Sequence, residues 1–159
     1  MTEFLTLGHS NHPIAEFVRI LRRHAVRVVV DVRSEPHSRY APQFNKKRLE
    51  QSLNEAGIDY RYSGASLGGR PTDAGMYLPG GKPDYDKLAS SEHFQAELRS
   101  IVDLAGTKRV CLMCGEADPM CCHRESVVGK VLREWDVKVT HIAPDGRALD
   151  TDRGREEQP

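Results

Sequence analysis

A three-layer α/β fold is predicted: a Rossmann-like parallel sheet of about five strands with helices on both faces. Three observations lead there. The hydrophobic period switches repeatedly between strand-like and helical spacing, giving β-α-β-α-β-loop-α-β-α-β, an alternation that implies a parallel sheet with right-handed crossovers. The stretch VRVVVDVRS is β-branched and apolar on both faces, as in a buried parallel strand. The 159 residues suffice for one domain with a real core and are too few for two.

The elements follow in order. FLTLGHS begins as a short apolar strand. NHPIAEFVRILRRHA places Ile14, Phe17, Val18 and Leu21 at helical spacing, with Ser10 or Asn11 available as cap and Pro13 tolerated in the first turn. After the VRVVVDVRS strand, FNKKRLEQSLNEAG reads as a helix carrying Leu49, Leu53 and Ala56 and closed by Gly57. IDYRYS is the third strand. Residues 64–85 are rich in Gly and Pro and have no period, which suits either a lid or binding loop or a surface excursion. SSEHFQAELRSIVDLAG is a helix, RVCLMCG a strand, CCHRESVVGKVLREW a helix and VKVTHIA the fifth strand. Residues 1–146 form a single domain and 147–159 a polar tail. A strand order of 3-2-1-4-5 is expected, with a flavodoxin-like order or an incomplete barrel left open.

Composition narrows the function classes. Lys and Arg total 23, as do Asp and Glu, so net charge does not drive binding to nucleic acid or an anionic membrane. No apolar run approaches a membrane span and no secretory leader opens the chain, so a cytoplasmic protein is expected. The four cysteines, Cys111, Cys114, Cys121 and Cys122, fall in one short stretch, unlike a disulfide framework.

In open parallel sheets, sites form outside the carboxyl ends of the strands. Here those ends carry Gly8-His9-Ser10, Asp31-Val32-Arg33-Ser34 and Cys114-Gly115-Glu116, the last running on to Cys122-His123-Arg124. The three segments should converge on one crevice. These motifs (GHSN, DVRSEPHS, the LGG of the long loop and MCGEADPMCCHR) resemble the domain of unknown function 488 family, a bacterial and archaeal family, from Leu5 to about Gly146. The resemblance implies a fold and a shared site but no reaction. The matching positions are His9, Ser10, Asp31, Arg33, Ser34, Pro36, Cys114, Glu116, Cys122, His123 and Arg124.

Residue chemistry suggests roles. A thiol at a helix start beside His123 and Arg124 has its thiolate stabilised, making Cys122 a candidate nucleophile or redox thiol; the competing account is a small buried residue. Strand alternation puts Cys114 and Leu112 on one face and Cys111 and Met113 on the other, so Cys111 is expected in the core. Cys114 is a second candidate thiol; an approach to Cys122 across the 115–121 turn would make the two a thiol pair or metal ligands. Zinc is weighed and disfavoured, because a Cys-x2-Cys pair on a regular strand splays its sulfurs; neither a metal nor a cofactor is expected. Glu116, Asp31 and His9 are candidate acid–base groups, with Asp31 equally able to serve as an acceptor organising its loop. His141 closes the last strand and is a lesser candidate for the same edge.

Arg33, Arg39, Arg70 and Arg124, with Ser10, Ser34 and His123, are candidates for holding an anion. Nine Lys and Arg against two acids between Arg19 and Arg48 give a local basic excess, and Tyr40 and Phe44 can stack on a base there. The expected function is an enzyme performing hydrolysis or group transfer on a phosphate-bearing or nucleotide-like substrate, with nucleic acid a further candidate partner. The alternative is a non-catalytic nucleotide or nucleic-acid binding module with structural or redox-sensing cysteines.

Overall fold

The computed structural model describes residues 2–116 and 124–149, the side chains of 124–126 apart. Six strands form one sheet: β1 (Glu3–Gly8), β2 (Val28–Asp31), β3 (Asp59–Tyr62), β4 (Val110–Cys114), β5 (Lys138–Ile142) and β6 (Ala148–Leu149). The first five are parallel and β6 pairs antiparallel with β5. The helices are α1 (Ile14–Arg23), α2 (Lys46–Glu55), α3 (Gly64–Leu67), α4 (Tyr85–Ser90), α5 (Glu92–Ala105) and α6 (Lys130–Glu134), the last continuing a π-helical segment, Arg124–Gly129. The predicted mixed α/β class is what is found.

The strand order differs from the expected one. It is β3-β2-β4-β1-β5-β6, so β4 and not β1 pairs with β2 and takes the middle place among the five parallel strands. The reason is visible in the side chains. β4 reads Val-Cys-Leu-Met-Cys, has no polar side chain on either face, and all five residues are buried. β1 begins at Glu3 and carries Thr6, so it is the less apolar of the two. The chain leaves β1 toward β2 on one side and leaves β4 toward β5 on the other, so the topological switch point falls between β1 and β4.

Two apolar layers hold the helices. Leu5, Val29, Cys111 and Met113 meet Phe17 and Leu21 of α1 and Leu49 and Leu53 of α2. On the opposite face Val28, Val30, Val110 and Leu112 meet Phe94, Leu98 and Ile101 of α5 and Val131 and Leu132 of α6. Period-two alternation along β4 therefore sends Cys111 and Cys114 to different layers, as anticipated.

Three local expectations are corrected. Neither Ser10 nor Asn11 caps α1; Pro13 does, and its extended backbone (ψ 143°) starts the helix without a side-chain hydrogen bond. The 64–85 stretch is not structureless: it holds α3, a 3-10 turn at Ala74–Met76, an antiparallel bridge between Tyr77 and Pro83, and it runs into α4. Those pieces are too short to show a period and are instead fixed by caps, Asp73 accepting from Gly75 N and Asp84 from Lys87 N. The polar stretch from residue 147 contributes Ala148 and Leu149 to the sheet.

Leu112 is fully buried at the centre of β4. Leu112→Ala is expected to cost about 2–5 kcal/mol of unfolding free energy. The check is a denaturation midpoint that falls while the slope of the transition is retained.

Candidate functional site

The loops after β1 and β4 are laced together. His9 N donates to Cys114 O at 2.8 Å and Ser10 N to Gly115 O at 3.1 Å, extending the parallel ladder past the strand ends. Ser10 then turns the chain with a left-handed backbone (φ 46°). β2 is held likewise to its neighbours, with Val32 N on Met113 O and Ser63 N on Asp31 O. The segments at Gly8–Ser10, Asp31–Ser34 and Cys114–Glu116 thus share one rim of the sheet.

At the middle of that rim, Asp31 and Arg33 form a buried ion pair. Arg33 Nε donates to Asp31 Oδ1 at 2.9 Å and Nη2 to Oδ2 at 2.8 Å. Arg33 N and the Tyr60 hydroxyl also donate to the carboxylate, at 3.1 and 2.7 Å. Arg33 Nη2 reaches Phe44 O at 2.8 Å and Nη1 reaches His9 Nε2 at 3.2 Å. Burial, reinforced by the Asp31 charge, raises the Tyr60 phenol above its ordinary range and keeps it a donor.

These contacts define the state of His9. Its Nδ1 lies 2.8 Å from Ser10 O, an obligate acceptor, so the proton sits on Nδ1 and the Nε2 lone pair receives Arg33. Burial first, and then the Arg33 charge, push the imidazole down to about 4. The neutral ring stacks on Phe44, centroids 4.6 Å apart.

Above this floor opens a cleft of about 930 Å³. One wall is the loop from Ser34 to Ala41, another comprises Gly69, Arg70, Thr72, Pro83 and Tyr85, and Ser10, Asn11, Gly115 and Glu116 complete it. The two main walls are joined at Ser34, whose Oγ accepts from Arg70 N at 2.8 Å. Two glycines permit that approach. A Cβ at Gly64 would lie 1.7 Å from Arg33 O, and one at Gly68 would lie 2.2 Å from Ser34 Oγ. Gly68, the first glycine of the LGG motif, is therefore a close-packing position beneath the rim.

The candidates sort as follows. His9, Ser10, Arg33, Ser34, Arg70 and Glu116 line the cleft. Asp31 does not; it is fully buried and holds Arg33, the loop-organising role. Glu116 is exposed, not enclosed by the apolar strand end as expected. Cys114 is 1% exposed and belongs to the apolar layer under α5 and α6, on the opposite face of the sheet from Asp31. Arg39 is exposed and is not part of the cleft wall. Phe44 is fully buried beneath His9 and offers no face to a ligand, whereas Tyr40 does. His141 is buried within the sheet, sharing a 2.5 Å hydrogen bond with Thr6 Oγ1, and does not reach the rim. Cys121, Cys122 and His123 lie outside the described residues, as does the side chain of Arg124. Among the described residues no three His, Cys, Asp or Glu side chains form a metal-ligand group, and no helix is long and apolar enough to cross a membrane.

Tyr60, the Phe44 carbonyl and Tyr85 were not foreseen. Only Tyr60 had a usable signal: alternation along Asp-Tyr-Arg-Tyr puts it level with Val29, two residues below Asp31 on the neighbouring strand.

In comparison with known protein families, the model described as Domain of unknown function DUF488 matches residues 13–131. That span is narrower than the Leu5–Gly146 of the motif resemblance and leaves His9 and Ser10 outside it. No curated protein and no solved structure gave a match.

Two predictions come from the floor. Asp31→Asn leaves the buried Arg33 charge uncompensated and should cost about 3–5 kcal/mol in denaturant unfolding. His9 is depressed to about 4 in the folded state against 6.5 ordinarily, so the unfolded chain binds the extra proton between those values. Its contribution, about 3 kcal/mol, is complete above pH 6.5 and is lost as pH falls toward 4. His9→Gln, which keeps an acceptor for Arg33, should remove that part of the slope in unfolding measured from pH 4 to 7.

Proposed function

We propose that this chain, which belongs to the Domain of unknown function DUF488 family, binds a phosphate-bearing small molecule in the rim cleft and catalyses hydrolysis or group transfer on it. The observation that carries the reading is a set of unspent donors. A guanidinium has five N–H groups, and Arg33 commits four of them to Asp31, Phe44 O and His9. One Nη1–H remains on a side chain that is 7% exposed and lines the cleft. The Ser34 hydroxyl accepts from Arg70 N and keeps its own proton to give. The Arg70 guanidinium has no ion-pair partner among the described residues. Together they offer a phosphate the Arg70 charge and two further donors, in a cleft whose lining also includes the carboxylates of Glu35 and Glu116.

The neutral His9 does not compete for the anion, and its ring keeps Arg33 aimed. Glu116, exposed in the cleft lining, is the group proposed to carry a proton. Cys122 is retained as the nucleophile on its sequence setting beside His123 and Arg124.

A panel of sugar phosphates and nucleotides, screened by calorimetry and by product analysis, tests this reading. Arg70→Ala should weaken binding of the best ligand by about tenfold or more, the scale of a lost charge-assisted bond. Glu116→Gln should leave binding intact and lower kcat by about a hundredfold. Cys122→Ser should abolish turnover. Binding without turnover of any compound would instead identify a binding module, and failure of every phosphate-bearing compound to bind would remove the reading altogether.

A further inference from the structure

A phosphate alone leaves most of the cleft empty, since pockets of roughly 300–1,000 Å³ hold whole small molecules. The remainder of the wall carries two aromatic rings. Tyr40 is 91% exposed and Tyr85 38% exposed, and they come from the two walls that Ser34 and Arg70 join. Neither phenol has a hydrogen-bond partner among the described residues.

Single exposed aromatics are ordinary on protein surfaces. These two differ in being displayed on anchored backbone. Ser38 Oγ accepts from Tyr40 N and Ala41 N, Ser38 N is tied to Asn45 Oδ1 at 2.7 Å, and the Ala41 side chain is buried. Tyr85 follows Asp84, whose carboxylate caps Lys87 N while its own N–H is held by Met76 O at 2.7 Å. Exposed aromatic rings on anchored backbone, beside the donors of Arg33, Ser34 and Arg70, suit a ligand that is planar at one end and anionic at the other. Stacking on tyrosine is tolerant of base identity, because each base has a π-face.

We propose that the ligand is a nucleotide, with its base against Tyr40 and Tyr85 and its phosphate on Arg33, Ser34 and Arg70. This rests on the phosphate reading above and names the substrate class for it. A free nucleotide and the end of a single strand present the same two groups.

The test compares ribose 5-phosphate, the four nucleoside 5′-monophosphates and a short single-stranded oligonucleotide by calorimetry. At least one monophosphate should bind about tenfold or more tighter than ribose 5-phosphate. Tyr40→Ala and Tyr85→Ala should each cut that advantage about tenfold while leaving ribose 5-phosphate unaffected. Tyr40→Trp should restore it and report binding through its fluorescence. Tighter binding of the oligonucleotide with the same tyrosine dependence identifies a strand end as the source. Nucleotides no tighter than ribose 5-phosphate, or tyrosine variants without effect, would overturn the base contact while the phosphate reading survives in the Arg70→Ala defect. Binding by none of these compounds would overturn both.

Discussion

A carboxylate and a guanidinium buried side by side at the carboxyl end of β2 must satisfy one another and every remaining polar atom around them. Removing both charges from water costs several kcal/mol per ion, recovered only if the hydrogen bonding is complete. Asp31 meets that demand with the side chain and backbone of Arg33 and with Tyr60 from β3. Arg33 meets it by reaching the Phe44 carbonyl ahead of α2 and the imidazole of His9 after β1. One ion pair thereby ties together the ends of three strands and a loop. The rim of the sheet is specified by the need to leave no buried donor or acceptor unpaired.

The same pair sets the charge of the cleft. Because Asp31 cancels Arg33, and His9 is neutral, the floor contributes direction more than net charge. Arg70, without an ion-pair partner among the described residues, is carried on the Gly-rich 64–85 segment and registered by its backbone bond to Ser34. The carboxylates of Glu35 and Glu116 line the same cleft. The segment lies close because Gly64 and Gly68 have no Cβ to collide with Arg33 and Ser34. The position of Arg70 is thus coupled to packing beneath the rim: a side chain at Gly68 would displace it without touching the cleft itself.

Much of this was legible in the residues. Period and composition give the parallel strands and the long helices, and alternation gives the faces of Cys111 and Cys114. What was hidden depends on contacts between distant residues. Nothing local in Phe44 says that its carbonyl will receive Arg33 or that His9 will cover its ring. Glu116 and Asp31 look alike as carboxylates at apolar strand ends, yet one is exposed and the other buried and fully bonded. The short pieces within 64–85 lack the length for periodicity, and their Asp73 and Asp84 caps are the only local signal they carry.

The strand order differs from the expected one while the described loop segments, Gly8–Ser10, Asp31–Ser34 and Cys114–Glu116, still meet, and the two outcomes have one explanation. A cleft at the carboxyl rim needs the ends of β1, β2 and β4 to be contiguous. Both 3-2-1-4-5 and the observed 3-2-4-1-5 satisfy that condition, differing only in which of β1 and β4 stands next to β2. In the observed order, β4 supplies backbone acceptors to both neighbours at once, Cys114 O and Gly115 O to the loop after β1 and Met113 O to Val32. With β1 and β4 exchanged, β4 would lose its contact with β2. The apolar centre therefore does more than fill the core. By taking the middle position, β4 holds the two halves of the cleft floor at a fixed separation, and that separation lets Arg33 reach from Asp31 to His9.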